Sequence, residues 1–456
     1  MMRSLYSGVT GLRSQQIKMD VLGNNIANVG TAGFKKSRVV FSDKLYQAVR
    51  GASRATDARG GTNPMAIGLG TAIFSIDQIH TPYTAQMTNR LTDLAIDGDG
   101  YFVIKQSNGE TVYTRSGAFV IDEFNNLVTV NGDFVQGWMA DVNTGAINAT
   151  PSEMGNINLN DYIYMLPQAT TDVILEGVLN STTPEVDPAL VTATAGIPED
   201  DQVYIFTQVF YDSQGNKYNM YYRFFLMDAS TNEWGLDMSL DSTFPPTTAG
   251  PPPTFTAGGG AITFTGVDDT TTYRTDGITF DTFGKFDEVA TGWSAMNVII
   301  DGLSGGVEPI EFNVDYSALL QYNAKSDADV ARQNGNAPGN LISRSIGTDG
   351  IMRGSYDNGE IRNMFQIAMA SFKNPEGLEQ IGSSSWRESA NSGTARIGEP
   401  GTGPRGKVLP GHLEMSNVDL AEEFVEMIVT QRGFSANSRV ITTSDEMLQE
   451  LVNLKR

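Results

Sequence analysis

The chain is 456 residues long, carries 31 Lys and Arg against 53 Asp and Glu for a formal net charge of −22, and has no cysteine. Without cysteine there are no disulfides, no thiol nucleophile and no thiolate metal site, so packing and assembly must supply the stability. The acidic balance disfavours nucleic-acid binding, which needs clustered cations; no stretch is apolar for long enough to span a bilayer, and the N-terminus lacks the apolar core of a cleaved signal peptide, so export would need a dedicated route.

The charge is unevenly spread. Residues 1–50 hold eight Lys and Arg against two Asp, whereas residues 141–330 hold five against 27 Asp and Glu, a local net charge of −22 that equals the whole chain's excess. An acidic block of this kind stays solvated and resists self-association. Arg3, Arg13 and Lys18 are spaced singly, as on the solvated or ion-paired face of a helix, rather than clustered as in a nucleic-acid or membrane arm.

In chain order, Leu5, Val9, Leu12, Gln16, Met19 and Ile26 recur at helical spacing, and Gly23-Asn24-Asn25 is expected to loosen that helix. Residues 35–75 are rich in Gly, Ser, Thr, Arg and Asp and read as an extended connector. Short alternating runs follow from Ile73 to about Pro167, with a tight hairpin expected at Val130-Asn131-Gly132-Asp133-Phe134. Val203 to Tyr211 and Tyr218 to Leu226 are aromatic and β-branched runs joined by a turn sequence, a second hairpin. Residues 245–260 are Pro- and Gly-rich and read as an exposed loop, and Leu319 to Asn340 loses strand character.

The last stretch, residues 416–456, predicts one long helix. Leu420, Phe424, Met427, Gln431, Phe434, Ser438, Ile441, Asp445 and Leu448 step by four and three, as in a coiled-coil seam. Ser416 and Asp419 suggest a capping box, with Glu422 and Glu423 at the positive helix end and Lys455 and Arg456 at the negative one. That seam is only partly apolar and calls for a partner, which the N-terminal helix supplies. The fold class is therefore α+β and mainly β: paired terminal helices carrying a β domain with a second β domain inserted in it. The expected parts are residues 1–34 with 415–456 as an inner helical domain, 35–75 as connector, 76–167 with 323–411 as a middle β domain, and 168–322 as an outer acidic β domain.

Few residues offer chemistry. His80 and His412 sit beside prolines and read as surface turn residues without triad or zinc partners. Asp97-Gly98-Asp99-Gly100 begins like a calcium loop, but Tyr101 stands at the fifth position and no glutamate at the twelfth, so a turn is the better reading. Asp268 with Asp269, and Asp287 with Glu288, read as solvated surface rather than acid/base pairs. Gly68-Leu69-Gly70 lacks the third glycine of a dinucleotide loop. Trp138, Trp234, Trp293 and Trp386 are expected in cores. No catalytic, metal or cofactor site is expected.

The wording of both ends carries a resemblance. Residues 1–41, with Asn24, Asn25, Asn28, Gly33, Phe34 and Lys35 at the motif positions, resemble the N-terminal signature of the bacterial flagellar rod and hook proteins. LTDLAIDGDGYFVI (91–104) and YTRSGAF (113–119) look like internal motifs of that family, and residues 350–360, 372–382 and 413–456 resemble its C-terminal half. The resemblance covers roughly residues 1–165 and 325–456. It implies a structural subunit that polymerises into the curved, flexible tube coupling the motor rod to the filament and transmitting torque, outside the cell. It further implies the flagellar type III apparatus as exporter, and rod, cap and hook–filament junction proteins as partners, with no nucleic acid and no membrane insertion. The absent cysteine excludes the cysteine-derived crosslink of some spirochaete relatives. The residues expected to carry assembly are Leu5, Val9, Leu12 and Met19 with Leu420, Phe424, Met427, Phe434, Ile441 and Leu448, while Asn24, Asn25 and Asn28 hold the N-terminal turn. Two alternatives remain: a distal rod protein of the same family, disfavoured by the chain's length, and a secreted adhesin or glycan hydrolase, which needs no paired terminal helices.

Overall fold

A computed structural model describes residues 2–52, 54, 60–186, 202–242, 244, 261–265, 273–291, 295–301 and 308–453. The chain divides into two compact units, the first made of Met1–Asp161, Arg344–Gly354 and Arg362–Arg456, the second of Tyr162–Ser343 and Ser355–Ile361.

In the first unit, helix α1 spans Met2–Ala27 and runs unbroken through Gly23-Asn24-Asn25. Tertiary packing overrides the weak local propensity there: Asn25 is buried and its side chain bonds the backbone of Ser37. The helix closes at Asn28, whose side-chain amide donates back to the Asn24 carbonyl at 2.9 Å. Helix α2 spans Leu420–Asn453. Its cap is Asp419, whose carboxylate accepts the N–H groups of Ala421 at 2.8 Å and Glu422 at 3.3 Å, while Ser416 is buried upstream and plays no capping part. Lys455 and Arg456 lie outside the described residues.

The described part of residues 35–75 is largely extended, but it is paired with itself and with the residues just after it. Ser37–Asp43 runs antiparallel to Thr71–Gln78, and Tyr46–Arg50 antiparallel to Met65–Gly68. Every residue of the Tyr46–Arg50 and Met65–Gly68 pair is exposed, so this ribbon has no core of its own. Gly70, at φ +108°, packs against Ser7 and Thr10 of α1, which is the role of the Gly68-Leu69-Gly70 stretch.

The β body of this unit is built around Tyr101–Lys105, buried along all but its last residue. It pairs with Thr111–Thr114, Phe134–Met139 and Met369–Ser371. Tyr101, Val103, Tyr113, Trp138 and Trp386 form one core cluster. The expected tight turn after Thr129 is present, with Gly132 at φ +87° and its N–H bonded to the Thr129 carbonyl at 2.9 Å. Asp97-Gly98-Asp99-Gly100 is a turn, with both glycines at positive φ.

The second unit is a sandwich. One sheet orders Ala261–Thr265, Ala295–Asp301, Ile310–Tyr322, Asp172–Asn180 and Asp329–Gln333; the other orders Val203–Tyr211, Lys217–Asp228, Glu233–Ser239 and Tyr273–Thr279. The expected hairpin is in register from Val203↔Phe225 to Tyr211↔Lys217, its turn held by the Asp212 carboxylate accepting from Gln214 and Asn216. Phe210, Tyr222, Phe224, Trp234, Leu236, Phe312 and Tyr316 fill the interior. Two expectations need correction. Leu319 to Asn340 retains strands, one reaching Tyr322 and one at Asp329–Gln333, and the compact unit starts at Tyr162 and runs to Ser343 rather than covering 168–322. The edge strand Asp329–Gln333 is mostly exposed and polar, which erases the alternation that would have marked it. Asp287 and Glu288 sit at a short helical turn, Glu288–Thr291, not on a strand. Residues 245–260, Asp268, Asp269 and Trp293 lie outside the described residues.

Candidate assembly interface

Helices α1 and α2 meet through small and polar side chains. A Cβ added at Gly11 would come 2.7 Å from the Asn437 amide nitrogen, one at Gly8 3.1 Å from Ile441, and one at Gly433 3.2 Å from the Gln15 amide nitrogen. Ser4 and Ser444 share a hydroxyl hydrogen bond at 3.3 Å, Lys18 pairs with Glu426 at 2.8 Å, and the buried Asn25 donates to Glu423 at 3.1 Å. Backbones can approach this closely because glycine and serine leave room. A second side of α1 faces the ribbon, where Thr71 donates to Ser14 at 3.4 Å.

The predicted seam therefore divides. Leu5, Leu12, Met19, Met427, Phe434, Ile441 and Leu448 are half-buried, and Ile441 lies over Gly8. Val9, Leu420 and Phe424 are exposed, Phe424 at 49%. They are joined by Val425, Ile428 and Val429 on α2 and by Tyr6 and Ile17 on α1, all exposed. Gln431 and Asp445 are exposed and Ser438 is half-buried. Asn24 is exposed, but its side-chain oxygen accepts from the Asn28 amide at 3.1 Å, so it joins Asn25 and Asn28 in holding the turn after α1. Sequence reasoning missed Gly8, Gly11, Gly433 and Asn437 as contact residues. The three-residue spacing of Gly8 and Gly11 was the available signal.

Both helices are rooted in a cluster of buried charge. The Glu414 carboxylate accepts from Lys35 Nζ at 2.6 Å, from Arg115 Nη1 at 3.3 Å and from the backbone N–H of Tyr83 at 3.2 Å. Burial holds the Lys35 ammonium below the usual lysine range, against the opposing pull of Glu414. His80 is no surface turn residue: its Nδ1 lies 2.8 Å from the Tyr101 hydroxyl and its ring packs edge-on to Trp386. Burial, with the charges of Lys35 and Arg115, pushes its pKa down to about 4. His412 is half-buried on the strand His412–Glu414, its Nδ1 2.8 Å from the Pro410 carbonyl.

Terminal helices that pack through small residues and leave larger apolar ones outward, on a β body, have the layout of an assembly subunit. Known proteins agree. Residues 5–35 match the family described as flagella basal body rod protein, and residues 95–164 the flagellar hook protein FlgE/F/G D1 domain. Residues 178–336 match the flagellar basal body protein FlaE D2 domain, and 409–454 the flagellar basal body rod FlgEFG protein C-terminal family. The flagellar hook protein FlgE of Borreliella burgdorferi is 37% identical over 100% of both chains, and that of Salmonella typhimurium 33% identical over 99% of this chain and 100% of its own. A basal-body rod protein FlgG of Bacillus subtilis is 31% identical over 100% of both. The solved structure of the Helicobacter pylori flagellar hook protein FlgE2 shares the fold at a TM-score of 0.50 and 14% identity, covering 74% of this chain and 100% of its own. The chain belongs to the flagellar hook and rod protein family.

Proposed function

We propose that this chain is the subunit of the flagellar hook, polymerising through its terminal helices into the tube that carries torque from motor to filament. The observation that carries this is the outward apolar side of the helix pair, where Leu420, Phe424, Val425, Ile428 and Val429 stand exposed together on the N-terminal half of α2. Full burial of such side chains contributes about 1.5–3 kcal/mol each, and other copies of the chain are the partner that would cover them. The role is structural, as in the relatives named as hook proteins. Export by the type III apparatus, an extracellular location, and contacts with rod, cap and junction proteins belong to the same proposal. So does placing the acidic insert at the tube's exposed surface, where polar and wet contacts would let neighbouring subunits slide as the tube bends.

A second reading keeps one observation in its favour. A relative bearing the rod name matches over the whole of both chains, so length does not separate hook from rod. Negative-stain microscopy of polymerised protein tests both. A curved tube supports the hook, a straight one the rod, and discrete particles would refute assembly altogether.

A further inference from the structure

Two cations meet one carboxylate where water does not reach: the side chains of Lys35, Arg115 and Glu414 are each at most 1% exposed. They come from three separate stretches, Lys35 just after α1, Glu414 just before α2, and Arg115 from the β body following Thr111–Thr114. Around them the backbone of both helix roots is pinned. The Gly33 N–H donates to the Glu414 carbonyl at 2.8 Å, the Lys36 N–H to the Asn417 side chain at 2.7 Å, and the Ser37 N–H to the Asn25 side chain at 3.0 Å. Lys35 also donates to the Thr81 carbonyl at 2.8 Å, and Asn417 to the Ile79 carbonyl at 2.8 Å, which ties both roots to the same stretch of the body. Gly33, at φ +70°, lies so close to the Arg115–Ser116 backbone that a Cβ would have no room.

We propose that Glu414 is the positioning residue of the terminal helices: its charge docks the stretch after α1 and the stretch before α2 on the β body, so that the helix pair leaves the body in one register. The inference rests on the assembly reading above. The cluster holds more positive than negative charge, since Asp99 is the other acid close enough to act on Lys35 and it is exposed, and His80 stands neutral beside it. Removing the carboxylate's charge leaves two buried cations facing each other, which is strongly unfavourable. A site that served packing alone could be filled as well by apolar side chains. Glu414 acts by offsetting Lys35 and Arg115, so that the stretches that carry them can dock together out of water.

The test compares amide exchange in dilute monomer for the wild type, Glu414→Gln, and the double variant Lys35→Met with Glu414→Gln. Gln preserves the shape and leaves Lys35 and Arg115 uncompensated; the double variant restores the original charge balance. The amides of Gly33, Lys36 and Ser37 are expected to exchange about tenfold faster or more in Glu414→Gln, while Tyr101–Lys105 and Val203–Tyr211 stay as protected as before. The double variant is expected to recover most of that protection, and the concentration needed for polymerisation to follow the same order. Wild-type protection of the root amides in Glu414→Gln overturns the proposal. So does a double variant no better protected than the single one, which would make hydrogen bonding rather than charge the agent, and so does loss of protection in the body strands together with the roots. A wild-type protein that forms no polymer refutes the assembly reading instead, and the exchange data then still decide this one.

Discussion

His80 is held neutral by burial first and then by the charges of Lys35 and Arg115, with the Tyr101 hydroxyl 2.8 Å from its Nδ1. Its native pKa of about 4 lies below the 6.5 of an unperturbed histidine, so between those values the unfolded chain binds a proton that the folded one does not. Stability is then fully present above pH 6.5 and falls as the pH drops towards 4. Carboxylates titrate near the lower end of that window, so the comparison needs a variant, His80→Phe, that keeps the aromatic packing. Denaturant unfolding followed by near-UV circular dichroism should show the wild type losing on the order of 2 kcal/mol more than the variant across the window. Equal losses would show that His80 titrates as it does in the unfolded chain. At Phe424 the consequence lies in assembly: Phe424→Asp puts a charge on an exposed site, so the monomer should fold with an unchanged melting temperature. Polymer formation should fail, because burying the carboxylate without a partner costs several kcal/mol. Normal tubes from this variant would take Phe424 out of the interface.

The two terminal helices depend on each other through contacts that contribute little apolar burial. A close pair of helices built on Ser4, Gly8, Gly11, Gly433 and Ser444 gains from proximity, and helices in proteins draw most of their stability from tertiary packing rather than from propensity. In dilute monomer, residues 2–27 and 420–453 should therefore exchange their amides faster than the Val203–Tyr211 strand, except near the charged roots. Uniformly strong protection along both helices would contradict this. Gly11→Leu tests the contact itself, since even a Cβ there meets the Asn437 side chain. The helices should separate and the helical signal on polymerisation should be lost, while the β signal stays; a variant that polymerises normally would show the pair to be looser than drawn. The helix spans and the 203–226 hairpin were legible from spacing and turn residues. The ribbon at 37–78 was not: Tyr46–Arg50 and Met65–Gly68 are exposed on every residue, and Ser37–Asp43 and Thr71–Gln78 mix exposed with half-buried residues and bury none fully, so no core face is there to read.

At the scale of the whole chain, two distant residues of the second unit close its sandwich off like a clasp. Gln168 and Asn336 bond each other's backbones in both directions, at 3.2 and 3.1 Å. Deleting residues 168–336 and joining Pro167 to Ala337 by a short flexible linker should therefore close without large strain. A cut at Tyr322 instead leaves the strand Asp329–Gln333 without the sheet it edges. The shortened chain should keep its helices and β body and still polymerise, into a straighter and stiffer tube, because the acidic insert would no longer separate the outer contacts. Electron microscopy decides: if the body is folded by circular dichroism but no tube forms, the insert is required for assembly and the division of labour is wrong.

Local pattern alone determined that both ends are helical, that the centre is β and acidic, and that the termini carry a flagellar axial signature, since periodicity, charge and turn residues are written in neighbouring positions. Which face of α2 meets α1 was decided only by the tertiary structure. A seam of hydrophobic spacing pointed to Leu420 and Phe424, yet those turn outward, while Ile441 of the same seam lies over Gly8, and Gly8, Gly11 and Gly433 let the helices close on Asn437 and Gln15 as well. The charged root was likewise out of reach of sequence reasoning. Lys35, Arg115 and Glu414 are separated by tens to hundreds of residues, and nothing in the stretch around each announces that it is buried with the others; only folding brings an unbalanced set of charges to one point and makes each depend on the rest.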